Sequence, residues 1–155
     1  MSADLASQVG LPPAVAEMRL EIARLAAACD YEGLESLALE GRDFFSFSFG
    51  ADESPAEYWR RDDRRFEVLA TLVKVFELPY VTSDLQESPE EPKSVVYSWP
   101  SANGPNPTDE DWQLLIDAGL YNEREVRRMQ QFGGYIGYRI GIVEDGDWIY
   151  FIAGD

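Results

Sequence analysis

Arg139 is the one cation in an aromatic, glycine-rich stretch that ends the sequence, GGYIGYRIGIVEDGDWIYFIAGD from Gly133 to Asp155. A planar guanidinium beside tyrosines suits a small carboxylate, which it can grip through two parallel N–H groups. The stretch predicts a β-hairpin with Asp145-Gly146 as a two-residue turn. On that register Glu144 faces Asp147, Val143 faces Trp148, Gly141 faces Tyr150 and Arg139 faces Ile152. Alternation then puts Tyr135, Arg139, Trp148 and Tyr150 on one face with Gly137, Gly141 and Gly154. The opposite face carries Ile136, Tyr138, Ile140, Ile142, Ile149 and Phe151 and wants a core. Glycines gathered on one strand face mark a close approach, by a packed helix or by a ligand. Tyr97 and Trp99, on an earlier strand, either wall such a pocket or pack in the core. The candidate ligand-binding set is Arg139, Tyr150, Trp148, Tyr135, Tyr97 and Trp99. The alternative for Arg139 is an ion pair, which 29 Asp and Glu residues make easy to satisfy.

Much other chemistry is excluded. The chain has no histidine, so histidine metal sites, Ser-His-Asp and Cys-His pairs, and the commonest base near neutral pH are all missing. Cys29 is the only cysteine, which rules out an intramolecular disulfide and a cysteine metal cluster. No cofactor, metal or catalytic residue is assigned. Ser46 and Ser48 have no base to activate them and serve at most as hydrogen-bonding groups. An enzyme would have to use carboxylates: Asp155, Asp43 or Glu144 would act as acid or base if burial beside a pocket raised the pKa.

Lys and Arg total 13 against 29 acids, a net charge of -16. Phosphate backbones are repelled by such a surface, so no nucleic-acid partner is expected. An acidic chain can instead imitate nucleic acid and block a basic partner, or simply use carboxylate for solubility. The run Arg60-Arg61-Asp62-Asp63-Arg64-Arg65 is the densest basic patch, read as a solvated face with local ion pairs rather than an anion site.

These groups need elements to hold them. Pro12-Pro13 opens a first helix whose stripe is Val15, Met18, Ile22, Leu25 and Cys29, so Cys29 reads as a small core residue. Asp30 caps a short second helix over Tyr31–Leu39 that Gly41 ends. Phe44–Gly50 predicts a strand with Phe45, Phe47 and Phe49 on one side. Ser54-Pro55-Ala56-Glu57 is a capping box opening one long helix to about Glu77, with Trp59, Phe66, Leu69, Val73 and Phe76 inward. Residues 82–93, TSDLQESPEEPK, predict an exposed acidic loop. Ser94–Trp99 is a strand stopped by Pro100. Thr108-Asp109-Glu110-Asp111 caps a helix to about Ala118, closed by Gly119, and Asn122 starts a last short helix with Val126, Met129 and Phe132.

The fold class expected is α+β: N-terminal helices packed on a curved, mainly antiparallel sheet that ends in the long hairpin. With 155 residues, 45% of them hydrophobic, a single domain over 1–155 with a real core is expected, residues 1–11 being a loose lead-in. No apolar run is long enough to span a bilayer. The start, MSADLASQVG, does not read as a signal peptide, so the expected compartment is the cytoplasm, or outside it if a leader was removed.

Phe47–Gly50 (FSFG), Tyr58-Trp59-Arg60, Leu78-Pro79-Tyr80, Tyr97–Ala102 (YSWPSA), and GYRIGI with DGDWIYFIAGD occur in order, and together they resemble a family of small bacterial proteins, several of them lipoproteins or exported, with no biochemical function attached. More remotely, the two N-terminal helices joined through Cys29-Asp30-Tyr31, the aromatic strand after them and the final hairpin resemble the nuclear-transport-factor-2-like or SnoaL-like superfamily, a cystatin-type fold. That resemblance implies a curved sheet around helices with a pocket, and cone-shaped relatives that often pair through the sheet. The superfamily's Asp-His catalytic pair cannot be carried over. The functional expectation is a non-catalytic domain that binds a small molecule or a protein, a homodimer through the sheet face being one form of the latter. The alternatives are a carboxylate enzyme with an aromatic pocket and an acidic inhibitor of a basic partner.

Overall fold

The computed structural model describes residues 5–41, 45–48, 53–86 and 88–154. Local capping chemistry starts the helices. Proline at the first turn opens α1 (Pro13–Ala27). The Asp30 carboxylate accepts the Gly33 N–H at 2.9 Å and opens α2 (Tyr31–Glu40). Ser54 accepts from the Glu57 N–H and opens α3 (Pro55–Phe66).

The single long helix expected from Pro55 to Glu77 is in fact two. Glu67 turns left-handed, at φ 49° and ψ 50°, and α4 (Val68–Glu77) starts afresh behind it. Asp63 explains the break, because its carboxylate captures the Leu69 N–H at 3.1 Å while its carbonyl takes the Glu67 N–H. The break also turns Phe66 outward, 52% exposed, where a buried position was expected. Cys29 likewise departs from expectation. It is exposed and left-handed, with φ 54°. Its N–H bonds Ala26 O and the Asp30 N–H bonds Leu25 O, so it occupies the position a glycine usually takes in a Schellman cap.

The sheet is antiparallel in the order β1 (Val81–Leu85), β2 (Ser94–Trp99), β3 (Arg139–Val143) and β4 (Trp148–Ile152). β1 lies in the stretch expected as loop: residues 82–84 are exposed as expected, yet their backbone forms an edge strand paired with β2. Within the described part of Phe44–Gly50, the expected strand is a single parallel bridge. Ser46 donates to Ile149 O and accepts from the Phe151 N–H, both at 3.0 Å, along the outer edge of β4.

Helices α1 to α4 pack on one face of the sheet, over Trp99, Ile140, Ile142, Trp148 and Phe151. A smaller core joins α5 (Asp109–Asp117), α6 (Glu123–Phe132) and a 3₁₀ turn at Ser101–Asn103 through Trp112, Leu115, Val126, Met129, Tyr135 and Ala102. Both α5 and α6 begin with complete capping boxes, Thr108 with Asp111 and Asn122 with Glu125. The protein is therefore α+β, with its helices mainly N-terminal to an open antiparallel sheet. Among the described residues, no helix is long and apolar enough to cross a membrane.

Candidate functional site

The hairpin connection decides which side chains share a face. The loop has three residues, not two: Val143 N–H bonds Asp147 O at 2.8 Å, Gly146 N–H bonds Val143 O at 2.7 Å, and Gly146 is left-handed at φ 99°. This shifts the register by one residue and pairs Trp148 with Ile142. A bulge between Gly141 and Ile142 then restores it, so Gly141 pairs with Tyr150 and Arg139 with Ile152. The pairings expected for Gly141 and Arg139 hold, and those for Val143 and Glu144 do not.

Ser98, Gly141 and Tyr150 consequently form one row across β2, β3 and β4. The Tyr150 ring lies directly on Gly141, where a Cβ would collide with the ring carbons. The close approach marked by this glycine is thus made by the protein's own tyrosine. The Tyr150 hydroxyl lies 2.6 Å from Ser98 Oγ and accepts from Asn103 Nδ2 at 3.2 Å. Arg139 is half-buried in the same face. Its Nη1 donates to Gly137 O at 3.1 Å and its Nη2 to Gly154 O at 2.9 Å. Among the described residues, no carboxylate forms an ion pair with it.

Tyr135 is not on the strand. It precedes β3 and packs in the smaller core, where its hydroxyl donates to Tyr138 O at 2.5 Å. Tyr121, which the sequence did not single out, accepts the Tyr138 N–H at 2.9 Å. Burial raises the pKa of Tyr121, Tyr135 and Tyr150 above the usual tyrosine value, against the opposing pull of Arg139 on each. The three phenols therefore stay protonated around the cation. They are hydrogen-bonding groups at neutral pH, not bases.

The remaining expected members lie elsewhere. Trp148, brought to the core face by the register shift, is 2% exposed and stacks on Trp59 at 5.7 Å and 14°. Trp99 is fully buried on that same face against Phe76 and Tyr80, and Tyr97 packs beside Tyr80 at 5.5 Å. The set of six is thus divided. Arg139 and Tyr150 share the second face, Tyr135 lies beside it, and Trp148, Trp99 and Tyr97 belong to the helix-covered face. Asn103 and Tyr121 complete the Arg139 surroundings from outside the hairpin. Their only sequence signal was membership of a turn and of a helix junction.

The carboxylate candidates gain little. Glu144 is exposed and its Oε1 accepts from the Val95 N–H at 3.2 Å, while Asp43 and Asp155 lie outside the described residues. On α3, Arg60 pairs with Glu32 and Arg61 with Glu53 and Asp62, which matches the solvated ion-pair reading of that run. Among the described residues no cluster of Asp, Glu or Cys is arranged to hold a metal.

A second buried cation was missed altogether. Arg19 is 2% exposed, donates to Phe76 O at 2.6 Å and to Ala6 O at 3.2 Å, and so satisfies a carbonyl at the C-terminus of α4. Burial lowers its pKa, partly offset by Glu77. Gln8 works on the same end of α4, donating to Phe76 O and Leu78 O while accepting from Trp99 Nε1. Periodicity assigns Arg19 no partner because its partners are carbonyls distant in sequence.

No protein-family model, curated protein or solved structure matches this chain.

Proposed function

We propose that the chain is a non-catalytic binding domain whose ligand site is Arg139 with Tyr150, Ser98 and Asn103 beside it, and whose ligand is a small carboxylate. One observation carries this reading. Among the described residues the guanidinium is held in place by two backbone carbonyls and by no carboxylate, which leaves N–H donors for an outside anion. The Tyr150 hydroxyl, fixed by Ser98 and Asn103, supplies a second polar contact of defined position. The aromatic surroundings suit a ligand with an apolar body. A catalytic reading has less support: burial raises the pKa of the tyrosines near the cation, and the carboxyls of Glu21, Glu32 and Asp111 are held below their usual values, away from those of a general acid.

The test is thermal denaturation against a panel of small carboxylates with apolar bodies. A ligand that binds only the folded chain raises the midpoint. The rise should vanish in Arg139→Gln and shrink in Tyr150→Phe, which keeps the ring on Gly141. Equal rises in all three proteins would place binding elsewhere, and no rise in the wild type would end the proposal.

A further inference from the structure

The two edges of the sheet are not alike. The outer edge of β4 is closed by the Ser46 segment through two hydrogen bonds. Among the described residues, no strand pairs with the outer edge of β1. Which of its groups point outward follows from β2. Val95 O accepts the Glu144 N–H at 2.8 Å and Val95 N–H donates to Glu144 Oε1, so Val95 points its backbone toward β3. In an antiparallel ladder such groups alternate. Asp84, paired with Val95, therefore turns its N–H and C=O away from β2, as does Thr82, paired with Tyr97. Val81, Ser83 and Leu85 make the ladder bonds inward. Among the described residues, no backbone bond to another element covers the outward groups of Thr82 and Asp84.

Natural edges are blunted by short length, charged side chains, proline or a bulge. β1 is five residues long, VTSDL, with no proline, and its register with β2 is regular. Its only charge is Asp84, and the loop that follows carries exposed Glu90 and Glu91. The side chains of β1 alternate too. Thr82 and Asp84 lie on one face, and half-buried Val81 and Leu85 with Ser83 on the other.

We propose that β1 is a docking edge for an extended basic segment of another protein, which adds as a fifth strand. Backbone pairing with Thr82 and Asp84 supplies the register, and a lysine or arginine beside Asp84 supplies the charge match. Side chains one residue on in the docked strand lie toward Val81 and Leu85, so the expected segment alternates basic and apolar residues. The net charge of -16 draws such a segment in and repels a second copy of this chain. This site is independent of Arg139.

The experiment uses a short, end-blocked peptide alternating lysine and valine, followed by fluorescence anisotropy, with amide exchange at Thr82 and Asp84 read by NMR. The key variant is Thr82→Pro, which deletes an outward N–H without touching the β2 ladder. The second is Asp84→Lys. The expected result is binding by the wild type, slowed exchange at Thr82 and Asp84, and a loss of roughly tenfold in affinity in either variant, the scale of one or two lost hydrogen bonds or ion pairs. Binding that Thr82→Pro leaves intact and that salt alone abolishes would mean diffuse attraction to an acidic surface and would overturn the proposal. So would concentration-dependent self-association lost in Thr82→Pro, which would make a second copy the occupant, and so would an absence of peptide binding.

Discussion

Gly141 is the narrowest point of the Arg139 face. A methyl group there would overlap the Tyr150 ring, and the ring cannot lift without releasing Ser98 and Asn103. Gly141→Ala should therefore destabilise the fold by about 1–3 kcal/mol, the usual scale of overpacking, and should abolish carboxylate binding in the same variant. Urea unfolding and the ligand-induced midpoint shift check the two halves separately. Trp148 illustrates why only part of this site was legible. A three-residue loop and a bulge each displace the hairpin register by one, and the displacements cancel beyond the bulge. Arg139 and Tyr150 thus kept the face that alternation assigned, while Trp148, caught between the two irregularities, moved to the core. Neither irregularity has a residue signature that outweighs Asp145-Gly146, which reads as a two-residue turn. Asn103 and Tyr121 were invisible for a different reason: they reach the face through tertiary packing, which leaves no local pattern.

Helix ends show the same division between local and distant causes. Each capping sequence acts within a few residues, and α2, α3, α5 and α6 begin where their caps stand. The break at Glu67 and the exposure of Cys29 escaped because apolar spacing runs smoothly through both. Their backbones make a sharp comparison possible. Gly119, at φ 74°, closes α5 with the bonds Gly119 N–H to Ile116 O and Leu120 N–H to Leu115 O, the pattern with which Cys29 closes α1. One cap uses glycine and the other pays the left-handed penalty of a side chain. Cys29→Gly should stabilise the protein and Gly119→Ala should destabilise it, each by about 1 kcal/mol. Glu67→Gly should likewise stabilise by about 0.5–1 kcal/mol, the left-handed relief less the added flexibility of the unfolded chain. Urea midpoints at constant slope decide all three, and a destabilised Glu67→Gly would show that the Glu67 side chain itself holds the α3–α4 joint.

At the scale of the molecule, the tyrosines tie stability to alkaline pH. Tyr138 packs on Phe151 at 5.5 Å, and burial foremost lifts its pKa to about 12. Burial also lifts Tyr121, Tyr135 and Tyr150. In the unfolded chain a tyrosine releases its proton near pH 10. Above that pH the unfolded state holds fewer protons than the folded one, so the slope of stability against pH is negative. The contribution is complete below about pH 10 and is lost as pH rises through the folded values, at about 12 for Tyr138. The urea midpoint should therefore fall between those limits. General repulsion within a chain of net charge -16 would also weaken the fold in base, so a variant must separate the two. Tyr138→Phe keeps the ring against Phe151 and removes one titrating proton without altering the charge at neutral pH. Its midpoint should fall less steeply than the wild type's over the same interval. An identical slope would assign the alkaline loss to repulsion.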